Sequence, residues 1–142
     1  MRALLDVNVL IALLDGGHAS HSAAFAWFTA HAATGWASCP ITQNGCVRIM
    51  SHPAYPGAFA IRDIVQRLHR ACLDPVHEFW TDDISVLDSA RIDATRVHSP
   101  KQLTDIYLLA LAVHRDGVFV TFDRSVAIGA VPGATKRSLI VL

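Results

Sequence analysis

Apolar residues alternate between short runs suited to buried strands and longer stretches at helical spacing. Ala3-Leu4-Leu5 meets Asp6 abruptly and continues as Val7-Asn8-Val9-Leu10-Ile11-Ala12-Leu13-Leu14, which predicts a strand buried on both faces followed by a helix. Gly16-Gly17 breaks that helix, and His18 to Ala33, with Phe25, Trp27 and Phe28, predicts a second one. Gly35 to Cys39 reads as a second strand closed by Pro40, after which Thr42 is placed to cap a helix through Gln43 to Met50, weakened by Gly45. Ser51 to Gly57 is a loop, and Ala58 to Leu73 spaces Ile61, Ile64, Val65 and Leu68 as one face of an amphipathic helix. Val76 to Trp80 is a third strand, and Thr81-Asp82-Asp83 turns into a helix expected near Ser85 to Ile92. Thr104 is a natural N-cap for Ile106 to Arg115, a helix apolar nearly all round, with Gly117 as its stop. Val118 to Phe122 is a strong β run ending at Asp123, and Ser138 to Leu142 supplies a last strand.

This alternation predicts an α/β fold with a mostly parallel central sheet flanked by helices and joined by right-handed crossovers. The 142 residues suit a single domain, 1–142, and the 52% hydrophobic content suits a sheet covered on both faces. Formal net charge is zero, so nucleic-acid contact has to rest on local cations or on metal rather than on a global field. Cys39, Cys46 and Cys72 are odd in number and form no Cys-x-x-Cys pair, so neither a disulfide framework nor a structural zinc site is indicated, and they read as buried or inert thiols. No apolar run approaches a membrane span, and Asp6 interrupts the N-terminal one before it reaches signal-peptide length; a cytoplasmic location is the expectation.

Candidate chemistry follows from where the acids fall. Asp6 and Asp123 each stand just past a strand, while Asp105 and Gln43 fall in the first turns of helices that start at the same edge of the sheet. Ligands of open parallel sheets bind at that carboxyl edge. Asp6 is equally suited to cap a helix, and Asn8 is either an amide orienting Asp6 or a first-turn helix residue. Carboxylates gathered together need a positive partner, and an all-oxygen donor set points to Mg²⁺ or Mn²⁺, which would activate water against a phosphodiester. His18 and His21, one helical turn apart, read as metal ligands, substrate contacts or helix-end residues. Asp82-Asp83 reads as a metal pair or as helix-capping acids. Arg62, Arg67 and Arg70 read as a solvated face or an RNA patch.

Leu4-Leu5-Asp6-Val7-Asn8-Val9-Leu10, Thr104-Asp105-Ile106-Tyr107-Leu108-Leu109-Ala110-Leu111-Ala112 and Val120-Thr121-Phe122-Asp123 resemble, in order and spacing, the acidic motifs of PIN-domain proteins. Within that family the chain resembles, over essentially its whole length, the VapC-type ribonuclease toxins of VapBC toxin–antitoxin modules. The resemblance implies a Rossmann-like PIN fold, Mg²⁺- or Mn²⁺-dependent endoribonuclease activity on RNA, a homodimer, and a cognate VapB-type antitoxin occupying a groove beside the site. It makes Asp6, Asp105 and Asp123 the catalytic metal-binding acids, with Asn8, Gln43 and Thr121 in support. The family has a glutamate where this chain has Gln43, which adds no charge and motivates an alternative: an impaired PIN domain that binds RNA or antitoxin without cutting. A phosphatase of the haloacid-dehalogenase type also begins with an aspartate after its first strand, but it needs a second acid where this chain has Asn8. Phe25, Trp27, Phe28 and Ile61 are candidates for a dimer face, an antitoxin groove or ordinary core.

Overall fold

The computed structural model describes residues 1–142. Its strands are β1 (Ala3–Leu5), β2 (Trp36–Ser38), β3 (His77–Phe79), β4 (Val118–Thr121) and β5 (Leu139–Val141). They form one sheet in the order β3-β2-β1-β4-β5, and every pairing is parallel. The order reverses beside β1: the chain steps outward through β2 and β3, then returns to place β4 on the other flank. That makes the β1/β4 boundary the topological switch point, where a parallel sheet leaves a crevice outside its strand ends. Register aligns Leu5 with Val120, so Asp6 and Thr121 emerge side by side.

Period-two alternation along the strands divides the core in two. Ala3, Leu5, Trp36, Val118 and Val120 face helices α1 (Val7–Leu14), α3 (Pro40–Met50) and α4 (Ile61–Cys72), meeting Val9, Leu10, Cys46, Met50, Ile64 and Leu68. Leu4, Ala37 and Phe119 face the other way, onto α5 (Leu103–His114), whose Ile106, Leu108, Leu109 and Leu111 are fully buried. Helix α2 (His21–His31) packs on α1 and leaves Phe25 exposed. The three cysteines are free thiols, and no helix is long and apolar enough to cross a membrane.

Several local expectations give way to tertiary structure. No helix forms between Ser85 and Ile92, because Ser85 Oγ accepts from the Leu87 N–H and Asp88 Oδ1 accepts from the Ala90 N–H, which offers the backbone turns in place of a helical ladder. Asp82 and Asp83 therefore cap nothing. Asp83 instead pairs with Arg115 at 3.0 Å and lies near His114. Helix α3 begins at Pro40 rather than after Thr42; Cys39 is its N-cap, and the Thr42 hydroxyl reaches back to accept from the Cys39 N–H at 2.9 Å. Thr104 caps nothing either, since a 3₁₀ turn at Pro100–Gln102, capped by Ser99, leads straight into α5. After α5 the left-handed residue is Asp116, with φ of 53°. Gly117 serves close packing: a Cβ there would lie 2.7 Å from the Arg2 carbonyl oxygen and 2.6 Å from the Trp80 ring. Gly45 is likewise a contact residue, as a Cβ would come within 2.7 Å of a Val7 methyl where α3 crosses α1. On α4 only Ile64 and Leu68 are buried, and Ile61 and Val65 stand exposed.

Candidate active site

Asp6 lies between β1 and α1 and is buried. Its Oδ1 accepts from the Val7 N–H at 2.7 Å, so it does cap the helix. Its Oδ2 accepts from the Thr121 hydroxyl at 2.6 Å, which ties the end of β1 to the end of β4. Capping and site placement are thus compatible roles for one carboxylate. The Thr121 oxygen also accepts from Asn8 Nδ2 at 3.2 Å and from the Asp123 N–H at 3.0 Å, while Asn8 Oδ1 accepts from the Phe122 N–H at 3.3 Å. Asn8 therefore clamps the β4 end and reaches Asp6 through Thr121.

Asp105, in the first turn of α5, joins this edge from the opposite layer. Burial, then the charge of Asp6, then the hydrogen bond and charge of Asp123 push its carboxyl up to about 7. Asp6 is also raised, chiefly by burial, against the pull of its bonds to Thr121 and Val7. Asp123 is lowered, first by the Ser125 hydroxyl and then by the Ser125 N–H, both of which donate to its Oδ1. Neighbouring carboxylates whose environments separate their proton affinities are a frequent mark of a functional centre.

Two clefts meet at Asp105. One of about 410 Å³ is lined by Asp6, Asn8, His18, Tyr55, Thr104 and Asp105 among others; a second of about 200 Å³ is lined by Lys101, Gln102, Asp105, Asp123, Ser125 and Val126. None of the three acids forms an ion pair with a basic side chain. Clustered carboxylates without a protein cation, presenting oxygen donors only, suit a hard divalent ion. They do not stand as a closed cage: no three His, Cys, Asp or Glu side chains are grouped as a ready metal site. Water or substrate oxygens would have to complete the coordination, as is usual for Mg²⁺.

The remaining candidates lie elsewhere. Gln43 donates from Nε2 to the Ser38 hydroxyl at 2.9 Å, and Ser38 in turn is 2.8 Å from His77 Nε2. It lines a separate cavity of about 270 Å³ with Asn44, Val47, Val65, Leu68, His69 and Cys72, and lines neither of the acid clefts. His18 and His21 do not share a helix face. His18 lies in the turn before α2 and accepts the Ser20 N–H, whereas His21 opens α2 and bonds the Ala12 carbonyl. Arg67 bonds the Leu14 carbonyl and lies 4.9 Å from the centre of the Phe59 ring, and Arg62 and Arg70 are exposed. Ser125 was marked in the sequence only by its Asp-x-Ser spacing from Asp123, and Tyr55 by nothing beyond its loop.

A family model described as PIN domain matches residues 3–130. The chain belongs to the PIN-domain family. Ribonuclease VapC44 of Mycobacterium tuberculosis is 58% identical to this PIN domain over 142 residues, covering all of both chains. Ribonuclease VapC39 of the same species is 40% identical over 96% of this chain and 99% of its own. Ribonuclease VapC38 is 41% identical over 87% of this chain and 86% of its own. The five-stranded parallel sheet with helices on both faces is the architecture that the strand-and-acid pattern predicted.

Proposed function

We propose that this PIN domain is an endoribonuclease, the toxin of a toxin–antitoxin pair, that cleaves RNA by water attack assisted by Mg²⁺ or Mn²⁺. The observation that carries the reading is the meeting of Asp6, Asp105 and Asp123, from three distant parts of the chain, at the switch point with no basic partner. The full-length relatives named ribonuclease support it. Asp6, Asp105 and Asp123 would hold the ion, which supplies charge for the phosphodiester and lowers the pKa of an attacking water. Thr121 and Asn8 fix the Asp6 carboxylate in place, and Ser125 fixes that of Asp123.

The resemblance extends the reading to a VapB-type antitoxin and a homodimer in the cytoplasm. Exposed Phe25, Ile61 and Val65, with an apolar hollow of about 180 Å³ between α1, α2 and α4, give such partners surface to cover. Asp6→Asn keeps the size and one acceptor oxygen for the Val7 N–H, but it removes the charge and the oxygen that accepts from the Thr121 hydroxyl. It should abolish Mg²⁺-dependent RNA cleavage and growth inhibition in a chain that is less stable but still folded by circular dichroism; undiminished cleavage would overturn the assignment. One observation favours the impaired alternative, namely that Gln43 is engaged with Ser38 and contributes nothing to the acid clefts. An RNA-cleaving parent chain excludes that alternative.

A further inference from the structure

The larger acid cleft does not end at the carboxylates. From Asp6, Asn8 and Asp105 it runs to His18 and Tyr55, and both of these residues also line a second hollow of about 350 Å³ with Asp15, Gly17, Ala19 and Pro56. Each volume falls in the range of roughly 300–1,000 Å³ usual for ligand clefts. Neither ring is part of the buried core, and the site described above gives neither a task.

Both rings are held before any ligand arrives. His18 Nδ1 accepts the Ser20 N–H at 3.0 Å, which fixes the ring's orientation and leaves the proton on Nε2 as a free donor. The Tyr55 hydroxyl donates to Asp15 Oδ2, and Asp15 also accepts the Gly17 N–H at 2.9 Å. That places Tyr55, in the loop between α3 and α4, firmly against the turn between α1 and α2 that carries His18. The Tyr55 ring is further backed by Phe59, 6.4 Å away between centroids. Two preset rings with one spare N–H donor, opening directly from a phosphodiester-cutting centre, match what an unpaired base requires: a face to pack on and a donor for a ring nitrogen or carbonyl oxygen.

We infer that His18 and Tyr55 form a nucleobase subsite that selects the nucleotide next to the cleaved bond in single-stranded RNA. This rests on the ribonuclease reading above. The sugar–phosphate chain would pass from this subsite across Asp6 and Asp105 toward Asp123, since Asp105 borders both acid clefts.

The test cuts a pool of single-stranded RNA oligonucleotides, randomised around one position, with the full chain and its variants in Mg²⁺, and sequences the new ends. The parent should show a base preference beside the cut. His18→Ala and Tyr55→Leu should flatten it and raise KM for the preferred sequence about tenfold or more, with a smaller change in kcat, because packing one base contributes roughly 1–3 kcal/mol. Tyr55→Phe, which keeps the ring, should recover most of the preference lost in Tyr55→Leu. Circular dichroism checks folding, and if Tyr55→Leu unfolds, His18→Ala decides alone. An active parent whose preference and KM survive His18→Ala overturns the subsite and leaves the ribonuclease reading standing. A parent silent on every RNA overturns both.

Discussion

Replacing Thr121 by valine keeps the shape of the side chain and removes one oxygen, yet that oxygen holds three groups together. It donates to Asp6 at 2.6 Å and accepts from Asn8 at 3.2 Å and from the Asp123 N–H at 3.0 Å. A hydrogen bond to an ionised carboxylate contributes about 1.5–3 kcal/mol, and leaving the Asp123 N–H and the Asn8 amide short of a partner adds up to about 1 kcal/mol. Thr121→Val should therefore destabilise the chain by about 2–4 kcal/mol. Thr121→Ser is the control: it keeps the oxygen and loses one methyl in a fully buried position, at about 1 kcal/mol. Urea unfolding at neutral pH with a chelator present should rank threonine above serine above valine. In thermal melts a gap of about 2 kcal/mol between serine and valine corresponds to roughly 5–8 °C for a domain of this size. If valine equals or exceeds serine, the hydroxyl is not what ties β1 to β4, and the account of how Asp6 is positioned fails.

Gly117→Ala brings a methyl within 2.7 Å of the Arg2 carbonyl oxygen, where backbone and not a flexible chain end must yield, so a loss of about 2–3 kcal/mol is expected in denaturant unfolding. Lys101 lines the cleft beside Asp105 and Asp123 without an ion-pair partner; Lys101→Ala should raise KM for RNA and reduce the slope of log KM against log salt by about one phosphate contact, with Lys101→Arg close to the parent. His77 has its pKa lowered from 6.5, first by burial, with the Arg2 charge acting the same way. The unfolded chain then binds the extra proton more readily, so stability is full above about 6.5 and falls as pH drops below that value. His77→Gln should remove that part of the slope in pH-dependent melts.

The acids were legible because each lies where a local pattern changes. Leu5-Asp6 and Phe122-Asp123 end apolar runs, and Asp105 falls in the first turn of a helix apolar nearly all round, so strand and helix signals alone carried them to one edge. The same logic put Gln43 correctly in the first turn of α3, but a residue's place in a helix does not tell which cavity its side chain enters, and Ser38 captured the amide. The expected helix after Asp83 failed because its serine and aspartate side chains compete for the backbone, a contest that spacing of apolar residues does not register. Strand order was likewise out of reach, as alternation predicts parallel pairing but not which neighbours β1 takes. Tyr55 and His18 meet only because two separate loops are pinned by Asp15, a contact with no local signature.

Pairing of β1 with β4 also sets when the site can exist during synthesis. The Thr121–Asp6 bond spans 115 positions of sequence, so a chain emerging from the ribosome carries Asp6 early but lacks its partner until nearly the last strand. An N-terminal fragment ending before Val118 has β1, β2 and β3 yet no flank for Asp6 to lean on. Completion of the acid cluster is thus a late, long-range event of the kind that loop-closure entropy makes slow. Asp6 is thus made long before the group that holds it, and the site assembles only after a segment 115 positions downstream has left the ribosome.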